Sequence, residues 1–316
     1  MKKIFFICFC LVFCISLIAQ NVEKTTLYDE VLNGKIKTLT EKHIFKNGTD
    51  TIVYSFNELG LLTNIEKSDF SLGSKRKMIN IYNSYNQKIK TNWFDQDGKE
   101  SYSNDYVYEE GNLVKHIMKH PKSTPNATYY FDYEVTHYKY DKNRNLIEKK
   151  ELSKQKKSIK EILKEHNKYQ YDSTGNCIIE ESIDRIGIVI ERKNNKYVGN
   201  KLVETHTWML FEGEDLYLKD IYEYYENEKM KSHTHIVYMY GSTKEEVHRD
   251  IENYSYDCKY DINEKLIEET KVTTRSDMSE DKSSREYSDF DDKENWRRQR
   301  IGKKIIEREI DYFNTI

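Results

Sequence analysis

Two histidines one residue apart, His233 and His235, are the pair in this 316-residue sequence best suited to bind a metal ion. On a β-strand, residues i and i+2 point to the same face, so the two imidazoles would lie side by side. A zinc site needs at least one further protein ligand. A third ligand is missing near this pair in the sequence. We therefore expect an exposed histidine pair on a polar strand. His116 and His120 have the spacing of a helical ligand pair, but their surroundings indicate a strand, where that spacing has no special meaning.

Acidic and aromatic side chains suggest a second chemistry, the hydrolysis of glycosidic bonds. Asp215 and Glu245 are examples of carboxylates for acid and base roles, and Trp93, Trp208 and Trp296 are aromatics on which sugar rings could stack. A chain with 54 Asp and Glu residues offers such pairs by chance, and catalysis needs a defined separation between the two carboxylates. The motifs of serine hydrolases, phosphate-binding loops and zinc proteases are missing. We expect a protein that is not an enzyme, with no catalytic residue, cofactor or metal.

Composition and charge exclude several other classes. The chain has 26 Tyr but only 2 Pro, with 37% hydrophobic and 33% charged residues. A helical bundle would be richer in Ala and Leu, and a disordered chain would have fewer aromatic and β-branched residues. The balance of 51 Lys and Arg against 54 Asp and Glu gives a formal net charge of −3. Because there is no basic surplus to neutralise phosphates, we expect no nucleic-acid partner.

The N-terminus has the pattern of a secretory signal peptide. Lys2 and Lys3 precede an apolar run, and the composition turns polar after Gln20. We expect a signal-peptide helix at 1–20, a β-domain at 21–316, and a periplasmic, cell-surface or secreted location. The alternative is an uncleaved anchor, the only case in which we expect contact with a membrane.

Two cysteines, Cys177 and Cys258, remain beyond the predicted signal peptide. An oxidising compartment would permit a disulfide between them. The alternative is two inert, half-buried thiols.

A short pattern recurs along the chain: two aromatic residues separated by one position, then an acid, a turn and aliphatic residues. Asp opens a type I turn and caps its amides, and Gly three positions later takes the left-handed conformation of a bulge, so the unit predicts a hairpin. This hairpin pairs Tyr140 with Leu146 and Tyr171 with Cys177. The residues that define the repeat are Tyr138, Tyr140, Asp141, Leu146, Tyr169, Tyr171, Asp172, Gly175, Tyr260, Asp261, Leu266 and Trp296.

Successive hairpins predict an all-β fold, a repeat-built antiparallel meander. We expect one long, twisted and curved sheet that remains an open spiral, with the charges of 297–300 discouraging pairing at its edge. The segment 153–166 is expected to be strand or loop, with a short helix as the alternative. The polar segment 273–286 is expected to be an exposed loop.

Five tyrosines form the densest aromatic stretch, and they could either line a binding face or pack neighbouring strands. We expect packing. They are Tyr222, Tyr224, Tyr225, Tyr238 and Tyr240.

The pattern at Tyr138, Tyr169 and 258–260 resembles the tyrosine–aspartate (YD) repeat of the rearrangement-hotspot superfamily. The segments 32–37 and 291–298 also resemble the edges of small exported YD-repeat proteins. The resemblance implies β-sheet shells or spirals and an exported or envelope protein that binds something. We expect a non-enzymatic scaffold or binding protein whose partner is a glycan or another envelope protein. The alternatives are a carboxylate-based polysaccharide hydrolase and an immunity protein that caps a toxin.

Overall fold

The computed structural model describes residues 24–27, 30–120, 131–155, 160–210, 215–226, 230–240, 247–261, 265–275 and 277–313. The predicted signal peptide at 1–20 and Glu245 lie outside these residues. The described residues form strands joined by turns. None of them belongs to a helix long and apolar enough to cross a membrane.

The strands, in chain order, are β1 (Lys24–Leu27), β2 (Glu30–Asn33), β3 (Ile36–Phe45), β4 (Gly48–Phe56), β5 (Leu62–Asp69), β6 (Ser74–Tyr82), β7 (Lys88–Phe94), β8 (Glu100–Glu109), β9 (Asn112–Lys119), β10 (Phe131–Tyr140), β11 (Leu146–Gln155), β12 (Glu161–Tyr171), β13 (Cys177–Ile183), β14 (Val189–Val198), β15 (Lys201–Met209), β16 (Asp215–Tyr224), β17 (Met230–Tyr240), β18 (Val247–Tyr260), β19 (Leu266–Thr274), β20 (Glu280–Phe290), β21 (Trp296–Ile301) and β22 (Lys304–Tyr312).

Strands β3 to β22 form a closed antiparallel barrel, and β1 and β2 form a separate hairpin. Each barrel strand pairs with the next in sequence, and β22 pairs with β3, from Ile305 opposite Ile44 to Tyr312 opposite Ile36. The expectation of an open spiral sheet is therefore wrong. The predicted edge at 297–300 is also wrong, because β21 is paired with β20 and β22.

The repeated turn explains both the hairpins and the curvature. In the copy at Asp172, the Gly175 amide donates to the Asp172 carbonyl at 3.1 Å, and the Asp172 carboxylate accepts from the amides of Thr174 and Asn176 at 2.8 and 2.9 Å. The predicted pair of Tyr171 and Cys177 is present, with a shift of register just before it. Bulges bend a strand and increase its twist. The barrel closes because the bends at many such turns add up. The sequence of a single copy of the repeat does not show how large this total bend is.

Tyrosine hydroxyls tie successive hairpins together. A tyrosine at or next to the end of one strand donates its hydroxyl to a backbone carbonyl at or next to the start of the preceding strand. Tyr140 donates to Leu113 and Tyr171 to Leu146, both at 2.9 Å. The same bond joins Tyr82 to Leu62, Tyr108 to Lys88 and Tyr224 to Leu202. Each bond joins two neighbouring strands, so it adds to the backbone ladder between them.

Part of the inner face of the barrel wall is apolar, and the outer face is charged. Leu39, Tyr54, Ile65 and Met78 are register neighbours on β3 to β6, and all four are buried on the inner face. The outer face carries ion pairs between neighbouring strands. These are Lys42 with Glu309, Lys77 with Glu66, Lys119 with Asp105, Lys139 with Glu148 and Lys259 with Glu268.

Two segments that do not follow the repeat are largely strand in the structure. Residues 153–155 end β11 and 161–166 begin β12, so the short helix is excluded for these residues. Residues 273–274 end β19 and 280–286 begin β20, so the predicted exposed loop at 273–286 is wrong for most of its length. The side chains of β20 are polar and mostly exposed on both faces, and a polar sequence alone does not distinguish such a strand from a loop.

The disulfide considered for Cys177 and Cys258 is not formed. Both residues are half-buried, on β13 and β18.

Candidate functional site

A group of polar side chains lies where β16, β17 and β18 run side by side. The register places Asp220 opposite His235 and Tyr222 opposite His233. Tyr254 is the next neighbour of His233 on β18. The strand registers from β22 back to β16 put these side chains on the inner face, the same face as Leu39.

Asp220 accepts hydrogen bonds from both histidines through one oxygen. Its Oδ1 atom lies 2.8 Å from Nε2 of His233 and 2.7 Å from Nδ1 of His235. Burial raises the pKa of the Asp220 carboxyl, but the two hydrogen bonds outweigh burial, so this pKa lies below its ordinary value. The group therefore contains a carboxylate and two imidazoles around one point.

Two tyrosines hold the His233 ring between them. The Tyr222 ring stacks on His233 at 4.7 Å between centroids, with 9° between the planes. The Tyr254 ring stacks on the other side at 5.4 Å and 23°. The Tyr254 hydroxyl donates to Glu252, and this bond raises the pKa of Tyr254 to about 12. Because both faces of the imidazole are covered, its ring plane is fixed and Nε2 is directed at Asp220.

These atoms form a possible metal site. The three ligand atoms lie within 4.8 Å of one another, and within the described part of the chain no other three His, Cys, Asp or Glu residues meet this way. Sequence reasoning found the two histidines and missed Asp220, which is 13 residues before His233. The signal was available: the repeat at 222–230 predicts a hairpin, and counting back from its turn brings Asp220 opposite His235.

The repeat-defining residues are distributed around the barrel wall and do not form a site. Asp141, Asp172 and Asp261 are in turns, where each carboxylate caps amides. Tyr169 and Leu146 are buried, and Tyr260 faces Leu266 across its hairpin.

The other predicted residues have local structural partners. His116 stacks on Tyr106 and lies 3.1 Å from the Asn104 side chain, and His120 follows the end of β9. Tyr225 donates its hydroxyl to the Tyr256 carbonyl at 3.0 Å.

The three tryptophans named as aromatics on which sugar rings could stack are half-buried. Trp93 stacks on Tyr102, with 5.2 Å between the ring centroids. Trp296 lies under the guanidinium of Arg308. Both rings pack against neighbouring strands.

A shallow groove of about 500 Å³ on β19 to β21 contains two carboxylates, Glu268 and Glu286, directly opposite each other. A glycosidase of the usual kind needs one carboxylic acid with a raised pKa. The hydrogen bond from Lys259 instead lowers the pKa of Glu268. This carboxyl is therefore ionised at neutral pH and is a poor proton donor.

No protein-family model and no curated protein matches the chain. Solved structures give distant likenesses. One, titled TcdB2-TccC3-Cdc42, is 10% identical with a TM-score of 0.30; the match covers 82% of this chain, which spans 17% of the length of that one. Another, a porin-like protein from Bacteroides uniformis, is 10% identical with a TM-score of 0.33 and coverages of 87% and 96%. A porin-like protein from Bacteroides vulgatus is 8% identical, with a TM-score of 0.31 and coverages of 89% and 99%. Scores this low carry no argument about function.

Proposed function

We propose that the protein is an exported, non-enzymatic β-repeat scaffold of the cell envelope that binds a glycan or another protein through the water-facing wall of its barrel. The observation that carries this proposal is the chemistry of the outer face. Five ion pairs link neighbouring strands there, on β3–β22, β5–β6, β8–β9, β10–β11 and β18–β19. A barrel that spans a bilayer presents an apolar band to lipid, and charged residues there are costly. A wall with ion pairs on so many strands is suited to water.

The wall also offers apolar contact points among the charges. Val107 and Ile81 are exposed on the outer face of neighbouring parts of the sheet. Mixed surfaces of this kind are common in protein interfaces, which are about as apolar as the rest of a protein surface. The polar residues would give a partner its orientation.

The hydrolase alternative has less support. The groove with Glu268 and Glu286 is open, and Glu268 is held ionised by Lys259. The three tryptophans are engaged with neighbouring side chains. The stacking platform and the proton donor of a typical glycosidase therefore have no clear counterparts among the described residues.

Location and binding can be tested separately. Mass spectrometry of the protein purified from its own cells should find a mature chain that begins near residue 21, in the soluble envelope or extracellular fraction. Protein found intact in the cytoplasm would overturn the proposal. Glycan-array binding, or crosslinking to one envelope protein in living cells, would identify the partner class.

Activity is the remaining test. The purified protein should release no reducing ends from a panel of polysaccharides. Release that is abolished by Glu268→Gln or Glu286→Gln would establish the hydrolase instead.

A further inference from the structure

We propose that Asp220, His233 and His235 bind one zinc ion on the inner face of the barrel. This inference goes beyond the scaffold role and does not depend on it. It also corrects the expectation from the sequence that the histidine pair lacks a third ligand.

The donor atoms are those that zinc prefers. Two imidazole nitrogens and one carboxylate oxygen are a usual zinc ligand set, and a site with three protein ligands keeps its fourth position for water or another ligand. Calcium and magnesium prefer sites made of oxygen atoms. The mixed nitrogen and oxygen set therefore favours zinc over the alkaline-earth ions.

The three ligand atoms already lie close together, and both nitrogens are hydrogen-bonded to the same carboxylate oxygen. Oδ1 of Asp220 lies 2.8 Å from Nε2 of His233 and 2.7 Å from Nδ1 of His235. Ligand atoms around a tetrahedral zinc ion are separated by about 3.4 Å, as expected for metal–ligand bonds near 2.1 Å. An ion between them would move each nitrogen slightly away from Oδ1 and replace both hydrogen bonds. Each neutral imidazole would then carry its proton on the other ring nitrogen.

The site is pre-organised and open to water. Tyr222 and Tyr254 fix the plane of the His233 ring, which reduces the conformational freedom lost on binding. The side chains of His233 and His235 are 22% and 28% exposed, so the site is in partial contact with solvent. Asp220 is 15% exposed, and its carboxylate would meet the ion in a partly dry environment, where the attraction is stronger than in water.

The test is a titration of the purified, chelator-treated protein with ZnCl₂, followed by calorimetry. We expect one ion per chain. His233→Ala, His235→Ala and Asp220→Asn should each weaken binding by at least about tenfold. His166→Ala is the matched control, because Nε2 of His166 is also hydrogen-bonded to a carboxylate, Glu148, at 2.8 Å. Among the described residues, His166 belongs to no group of three possible metal ligands. This variant should bind zinc as the parent protein does.

A cobalt spectrum tests the geometry without any variant, so it stays informative even if a variant fails to fold. Co²⁺ in the parent protein should show the strong visible bands of a four-coordinate ion, and excess Zn²⁺ should remove them. Mg²⁺ should neither compete nor raise the melting temperature. Zinc binding of equal strength in the parent and the Asp220→Asn and His235→Ala variants would overturn the proposal, as would a parent protein that binds no zinc.

Discussion

Arg308 on β22 binds Glu41 on β3 across the seam that closes the barrel. Nε of Arg308 donates to Oε1 of Glu41 at 2.9 Å, and Nη2 lies 2.8 Å from the same oxygen. The guanidinium carbon is 3.5 Å from the centre of the Trp296 ring, so the cation also stacks on an aromatic face. Both charged residues are buried, and they join strands that are far apart in sequence.

Replacing Arg308 with Met should destabilise the protein by about 3–5 kcal/mol, because a buried Glu41 carboxylate would lose its cation. Urea unfolding followed by circular dichroism measures the change. Lys42→Met is the control, since Lys42 pairs with Glu309 on the same two strands but at the exposed outer face. Its effect should stay below about 1 kcal/mol. Equal effects of the two substitutions would contradict a special role for the buried pair.

The tyrosine hydroxyls that join successive hairpins should each contribute a measurable amount to stability. Tyr140→Phe and Tyr171→Phe remove only the donor to the carbonyls of Leu113 and Leu146, so each should lower the free energy of unfolding by about 0.5–1.5 kcal/mol. Tyr85→Phe is the control, because the Tyr85 side chain is 81% exposed. If Tyr85→Phe lowers the free energy of unfolding as much as the other two substitutions, the hydroxyl bonds to Leu113 and Leu146 are not the cause of the loss.

Substitutions at the bulge position of the repeat should have opposite effects on stability in two of its copies. Gly175 has φ of 88°, and Arg144 occupies the equivalent position with φ of 66°. No heavy atom lies within 4 Å of an added Cβ at Gly175, so Gly175→Ala adds backbone strain without a steric clash. It should cost about 1–2 kcal/mol. Arg144→Gly should stabilise the protein by less than that, because glycine also gains entropy when unfolded. Thermal unfolding of both variants checks the two signs, and a destabilised Arg144→Gly would contradict this explanation.

Acid should weaken the turns through their aspartates. The hydroxyl of Thr174 and the amide of Asn176 lower the pKa of Asp172, and the amide of Asn145 lowers the pKa of Asp141. Because the pKa of these aspartates is lower in the folded protein, the unfolded chain takes up protons first as the pH falls. The stabilisation by these carboxylates is therefore complete above their ordinary pKa of 3.8. It is lost as the pH falls through their pKa in the folded protein.

Urea midpoints measured from pH 7 down to pH 2 would test this pH dependence. The parent protein should lose stability below about pH 4 more steeply than Asp141→Asn/Asp172→Asn, because Asn does not titrate in this range. Parallel curves for the two proteins would exclude these turns as a source of acid sensitivity.

The local structure was more predictable than the global one. The turn chemistry of Asp172 and Gly175 gave the hairpin and the pair of Tyr171 with Cys177, because it acts over a few residues. Closure depends on the accumulated twist of all the barrel strands, so the sequence suggested an open spiral. The strand at 280–286 is polar on both faces, so its sequence has the pattern of a loop. Asp220 was missed because its relation to His235 requires the register of a whole hairpin.

The pairing of β3 with β22 also affects how the barrel assembles. Glu41 and Arg308 are 267 positions apart, whereas the other neighbouring barrel strands are consecutive in the chain. Hairpins with short connections form quickly, but joining distant segments carries a larger loop-closure entropy. We therefore expect a late intermediate in which the hairpins are complete and the seam is still open. The two unpaired strand edges of that intermediate would make it the species most prone to aggregation. A chaperone that protects the chain during folding would be most useful at this stage.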